Sequence, residues 1–77
     1  MRVTKADFEY VVQEMSKACG KQLYLVQGYH YMYVSIFNDT SQASVNFILE
    51  TSDSYSKANL DIYRAYLAGM THSRFGI

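Results

Sequence analysis

The sequence predicts an α+β fold: α-β-β-β-α in chain order, a three-stranded antiparallel meander, and both helices on one face in a two-layer sandwich. Three observations predict it. Near the start, Phe8, Val11, Val12, Met15 and Cys19 recur at three- and four-residue spacings, the period of an amphipathic helix. In the middle, Tyr29 to Phe37 alternates strictly between two sets of side chains, the period of a strand. Towards the end, Leu60, Tyr63, Leu67 and Met70 form a second helical stripe, flanked by Ile62 and Tyr66. Seventy-seven residues make one domain, read as residues 1–70 with a tail over residues 71–77.

The first helix is predicted over residues 4–19. Thr4 suits the N-cap and Asp7 sits three residues on, an acidic form of the capping box. Val3 and Phe8 form a hydrophobic staple, and Gly20 supplies a left-handed stop. A short strand, Gln22 to Val26, leads to a turn at Gln27-Gly28, where glycine permits positive φ. The central strand, Tyr29 to Phe37, follows. Asn38-Asp39-Thr40-Ser41 is a run of turn formers, and Gln42 to Glu50 alternates again as a third strand. Ser56 is the expected N-cap of the second helix, with Tyr55 and Leu60 as its staple and Gly69 as its stop. The tail is expected either to fray or to be pinned by Phe75 and Ile77.

The strands predict each other's registers. A turn centred on Asp39-Thr40 sets Ile36 opposite Ala43, Val34 opposite Val45, Met32 opposite Phe47 and His30 opposite Leu49. A turn centred on Gln27-Gly28 sets Leu25 opposite His30 and Leu23 opposite Met32. Every aliphatic side chain then lies on one face, which a slip of one residue would destroy. Two helices suffice to cover that face.

The opposite face would show Tyr24, Val26, Tyr29, Tyr31, Tyr33, Phe37 and Ile48, with Asn46 and Glu50 between them. Eight tyrosines stand against no tryptophan and no proline. Tyrosine offers large contact area, few rotors and a polar tip. Tyr24, Tyr29, Tyr31, Tyr33, Phe37, Asn46 and Ile48 are therefore the candidate protein-binding residues. The competing reading is a solvated sheet face on which tyrosine is simply a good strand former.

Charge and composition narrow the classes. Seven Lys+Arg balance seven Asp+Glu, and the basic residues are scattered, whereas nucleic-acid binders cluster theirs. An aromatic sheet face invites a single-stranded nucleic-acid platform as the alternative, but Glu50 lies on it and no lysine does. A small enzyme using His30 is the further alternative. His30 is expected on the inner face near the sheet end, between Leu25 and Leu49, with Asp53 and Ser54 on a loop at the same end. The simpler reading is a partly buried, hydrogen-bonded histidine. Cys19 is expected as a small core residue, since a helix C-terminus disfavours a thiolate. Lys57, Asp61 and Arg64 read as a solvated helix face. Cys19, His30 and His72 lack metal-ligand spacing, there is no phosphate-cradling glycine loop, and no cofactor is expected. One cysteine, no signal sequence and no membrane-spanning run predict a cytoplasmic protein. Open sheet edges in so small a domain predict a homodimer.

One resemblance can be drawn. An early helix ends in Gly20 and leads to a Leu-Tyr-Leu strand at Leu23 to Leu25. The segment Tyr55 to Met70 follows two strands separated by a polar turn, and closes on Tyr63, Leu67 and Gly69-Met70. In this the chain resembles small, largely uncharacterised accessory proteins encoded by bacteriophages and prophages. The resemblance implies a host-directed protein that acts in the host cytoplasm by binding and blocking a host protein, components of antiviral defence included. It brings no catalytic residue. Together these readings predict a non-enzymatic binding module.

Overall fold

Helix α1 (Lys5–Cys19) starts where its cap places it. The Asp7 carboxylate accepts from the Thr4 backbone N–H at 2.8 Å and from its hydroxyl at 3.4 Å. Gly20 ends the helix at φ 74°, its N–H donating to the Ser16 carbonyl at 3.0 Å. The computed structural model describes residues 2–75. After α1 come β1 (Tyr24–Gln27), β2 (Tyr31–Ser35), a helical turn α2 (Thr40–Ala43), β3 (Leu49–Ser52) and α3 (Lys57–Phe75). The strands form an antiparallel meander in the order β1-β2-β3, and α1 and α3 pack on one face of it. This is the two-layer α+β plan, with α2 added on the opposite face.

Cys19 is a correction: it is exposed rather than in the core. The buried stripe of α1 ends at Met15, and Ser16 faces the sheet in place of Cys19. Ser16 Oγ accepts the Leu23 N–H at 2.9 Å and lies 3.4 Å from the Leu23 carbonyl. These contacts occupy the backbone of Leu23, so the first strand begins at Tyr24 rather than Gln22. It also runs one residue further than expected, to Gln27.

Both hairpins pair four positions away from the expected register. Leu25 lies opposite Val34, not His30, and Val34 lies opposite Leu49, not Val45. Four is an even number, so each strand still shows its aliphatic set to the helices. The first turn is Tyr29-His30, closed by the Gly28 N–H donating to the Tyr31 carbonyl at 2.8 Å. His30, not Gly28, takes the positive φ, at 71°. Glycine is needed at position 28 for room: a Cβ there would lie 2.9 Å from Cε2 of the Tyr33 ring.

The central strand is shorter than expected because its last hydrogen bonds are diverted. The Phe37 N–H donates to Ser35 Oγ at 3.1 Å instead of continuing the ladder, and Ile36 and Phe37 leave the sheet. The third strand is likewise displaced. Asp39 caps a helical turn, its carboxylate accepting from the Ser41 N–H at 3.2 Å and the Ser41 hydroxyl at 2.9 Å. Residues 40–48 therefore form α2 and a loop, and only Leu49–Ser52 pairs with β2. Ile36, Val45 and Phe47, expected on the inner face, are exposed. Ala43 is buried, but against the other side of the sheet.

The main core joins Phe8, Val11, Val12 and Met15 of α1 to Leu23, Met32 and Val34 at the sheet and Leu60 and Tyr63 of α3. Ser56 caps α3, accepting the Asn59 N–H on its hydroxyl at 3.2 Å. Gly69 does not stop the helix, which continues to Phe75. A glycine in a helix costs only about 1 kcal/mol, and Leu67 and Met70 on either side pack on the core. Ile77 and the side chain of Phe75, the expected anchors of the tail, lie outside the described residues.

The main core contains one hydroxyl pair, in which Thr51 donates to the Tyr63 phenol oxygen at 3.3 Å. Burial pushes the Tyr63 pKa above its ordinary value of 10.0, opposed by the Thr51 hydrogen bond and slightly reinforced by Tyr55. The folded-state value thus exceeds the unfolded one. The associated stability is intact below about pH 10 and is lost as pH rises through the folded-state value. In urea titrations from neutral pH to about pH 11, the midpoint of the wild type should fall at the alkaline end. Tyr63→Phe should flatten that fall, and an equal fall in both proteins would count against the assignment.

Candidate functional site

The outer face of the sheet is not a continuous row of tyrosines. Its middle is closed by α2: Ala43 is fully buried against Val26 and Tyr33, and Tyr24 is half-buried beside them. Tyr33 is only 7% exposed. Its ring also meets the Phe47 ring, with centroids 5.5 Å apart. The candidate residues are thereby divided between the two ends of β2, about 13 Å apart at strand rise.

One end is the β1–β2 hairpin tip. Tyr29 is 85% exposed there, with its ring centroid 3.9 Å from that of His30, and Tyr31 is exposed beside it. His30 was expected inside and is exposed instead, because the shifted register places it in the turn. Asp53 does come near, but through the backbone: its N–H donates to the His30 carbonyl at 3.2 Å. A general base needs its imidazole aimed at a reacting group, whereas this contact engages the main chain.

The other end gathers Phe37, Asn46 and Ile48 from the candidate set with three residues the sequence reading placed in the core: Ile36, Val45 and Phe47. Val45 is 71% exposed and Ile36 51%. Ile36, Phe37, Asn46, Phe47 and Ile48, together with Lys21, line a shallow pocket of about 330 Å³. These apolar side chains come from two loops that one residue bridges. Ser35 is 1% exposed, and its hydroxyl donates to the Asn46 carbonyl while accepting the Phe37 N–H. The Ile48 N–H donates to the Val34 carbonyl at 2.8 Å. A continuous turn of backbone bonds, such as Asn46 N–H to the Gln42 carbonyl at 2.9 Å, ties α2 to the same loop. The apolar side chains therefore stand on a braced frame. Two adjacent bulky residues after Ser35, Ile36-Phe37, were the available signal, since consecutive positions cannot both face the core of a strand.

A second groove of about 420 Å³ lies between α1 and the free side of β1. Glu9, Gln13, Gln22 and Asn38 make it polar, and the Gln22 amide is already committed to the Leu23 carbonyl at 3.0 Å. Among the described residues, no helix is long and apolar enough to cross a membrane. No group of three or more His, Cys, Asp or Glu among them could hold a metal ion. In α3, Tyr63 belongs to the main core and Leu67 and Met70 pack against it, so these residues form a packing stripe. Comparison with protein-family models, curated proteins and solved structures yields no match.

Proposed function

We propose that this chain is a binding module without chemistry of its own, which docks onto a partner protein through the loop cluster Ile36, Phe37, Val45, Phe47 and Ile48. One observation carries the reading. Four large apolar side chains, Ile36, Phe37, Phe47 and Ile48, line one pocket, with Val45 exposed on the same loop as Phe47, on a frame braced by the buried Ser35. Scattered exposed hydrophobics need no explanation, but grouped ones mark contact sites. The Tyr29/Tyr31 hairpin tip is the smaller accessory contact.

The resemblance of the closing helix extends the proposal to a phage-encoded inhibitor that covers a surface of a host protein, antiviral defence included, in the host cytoplasm. Both β1 and β3 are edge strands, which leaves a second copy a place to pair as a homodimer. The aromatic nucleic-acid platform loses support with the burial of Tyr33.

The test is capture of a partner from bacterial lysate by immobilised protein. The double variant Ile36→Ser/Ile48→Ser should keep the wild-type helical signal and lose capture at least tenfold, about 1.4 kcal/mol. Undiminished capture by this variant would sink the reading. Capture that instead depends on Tyr29 and Tyr31 would move the interface to the hairpin tip.

A further inference from the structure

Resting on that reading, we infer that the pocket at the Ser35 end of β2 takes an apolar side chain of a partner polypeptide flanked by a carboxylate. The inference comes from charge. Of the residues lining the pocket, Lys21 alone is charged. It is exposed, and no ion pair or hydrogen bond among the described residues engages its ammonium. The two loops that supply the apolar walls contain one other charge, Asp39. That carboxylate is already committed to the Ser41 N–H and hydroxyl. Among the residues that line the pocket the only charge is therefore a positive one, although the chain as a whole is neutral, and the exposed Asp39 and Glu50 lie outside that lining. Asn46 adds an exposed amide beside Lys21, able both to donate to and to accept from a peptide backbone.

Size agrees with such an occupant. About 330 Å³ lies at the lower end of the range for ligand pockets, suited to one or two side chains rather than a cofactor. Rim charges on partners set orientation and on-rate, and wrong partners are rejected by like charge. A basic or phosphate-free neutral segment would leave Lys21 facing nothing; an acidic–apolar segment satisfies both halves of the pocket.

The experiment pans a displayed random-peptide library against immobilised wild type and, in parallel, against Lys21→Glu. Lys21 makes no side-chain contact that holds the fold, so this variant stays folded. Wild type should enrich peptides with an aromatic or branched aliphatic residue within two positions of Asp or Glu. The best of them, measured by fluorescence anisotropy, should bind Lys21→Glu about tenfold more weakly, twice the effect of losing one exposed pair. It should not bind Ile36→Ser/Ile48→Ser. Lys21→Glu should itself enrich basic–apolar peptides.

Peptides that need Ile36 and Ile48 but show no acidic bias, or the same affinity for Lys21→Glu, overturn this inference and leave the docking patch standing. Peptides indifferent to Ile36→Ser/Ile48→Ser overturn the patch as well, and so does a library that returns no binder. Concentration-dependent self-association of the wild type that Ile36→Ser/Ile48→Ser abolishes would assign the pocket to a second copy and overturn the inference.

Discussion

Phe8→Ala should destabilise the domain by about 3–5 kcal/mol. Phe8 is fully buried in the first turns of α1. It meets Tyr63 of α3 edge to face, with centroids 5.0 Å apart and planes at 85°, and Tyr55 at 5.4 Å. One ring thus joins the first helix to the last and to the segment that leads into it. Truncation removes its transfer free energy and both aromatic pairs, and leaves a cavity that neither helix can close without losing its grip on the sheet. A chain of this length has about 4–12 kcal/mol to lose. Urea unfolding followed by circular dichroism should show the midpoint collapsing, with much of the variant unfolded before denaturant is added. Tyr10→Ala, two residues on in the same helix but 64% exposed, should move the midpoint by no more than about 0.5 kcal/mol. If Phe8→Ala costs no more than Tyr10→Ala, the aromatic junction is not what fastens α1 to α3.

Ser35→Ala should cost about 2 kcal/mol and, beyond that, disorganise the docking patch. The change removes one oxygen, but that oxygen serves two strands of chain. It is the acceptor for Phe37 and the donor to Asn46, and it sits at 1% exposure where water cannot take over both duties. Losing it uncouples the loop that carries Phe37 from the loop that carries Asn46, Phe47 and Ile48 and loosens both, although the Ile48 N–H keeps its bond to the Val34 carbonyl. Partner capture should therefore fall further than the stability loss alone would bring, because the main core around Phe8 and Met32 is untouched and the protein stays folded. Ser35→Thr keeps the hydroxyl and should recover part of both. A Ser35→Ala protein with wild-type capture would show that the patch does not depend on its frame.

Much of this architecture could be read from the chain. The start of α1, its Gly20 stop, the Ser56 cap and the inner-face assignment of Leu23, Leu25, Met32, Val34 and Leu49 all follow from short-range chemistry and alternation. Alternation reports which face a residue takes, but it repeats every two residues and so cannot tell a register from one displaced by four. What selects between them is turn energetics. Here His30 accepts a left-handed backbone so that Tyr29-His30 can turn, and Asp39 finds Ser41 so that a helical turn forms where alternation suggested strand. Both are local hydrogen-bonding and steric choices that compete with strand periodicity over only a few residues.

The candidate site was legible to the same degree and for the same reason. Phe37, Asn46 and Ile48 do come together, because all lie just beyond the ends of paired strands. Tyr33 was misplaced because nothing in its own strand announces that α2 will fold over it. Ile36, Val45 and Phe47 were misplaced because the assumed register supplied them with partners they do not have.

The sheet stands between two apolar masses of unequal depth: nine buried residues on the helical side, and Val26, Tyr33 and Ala43 on the other. So thin a second layer can open without the first. Amide hydrogen exchange should accordingly separate into two tiers. Residues 36–48 should exchange through a low-energy local opening, and α1, β2 and the first half of α3 only through global unfolding. The patch then belongs to the more yielding cooperative unit. Its side chains can re-pack against an incoming partner while the rest of the domain holds still, and a docking surface so placed can accept related partners that differ in shape.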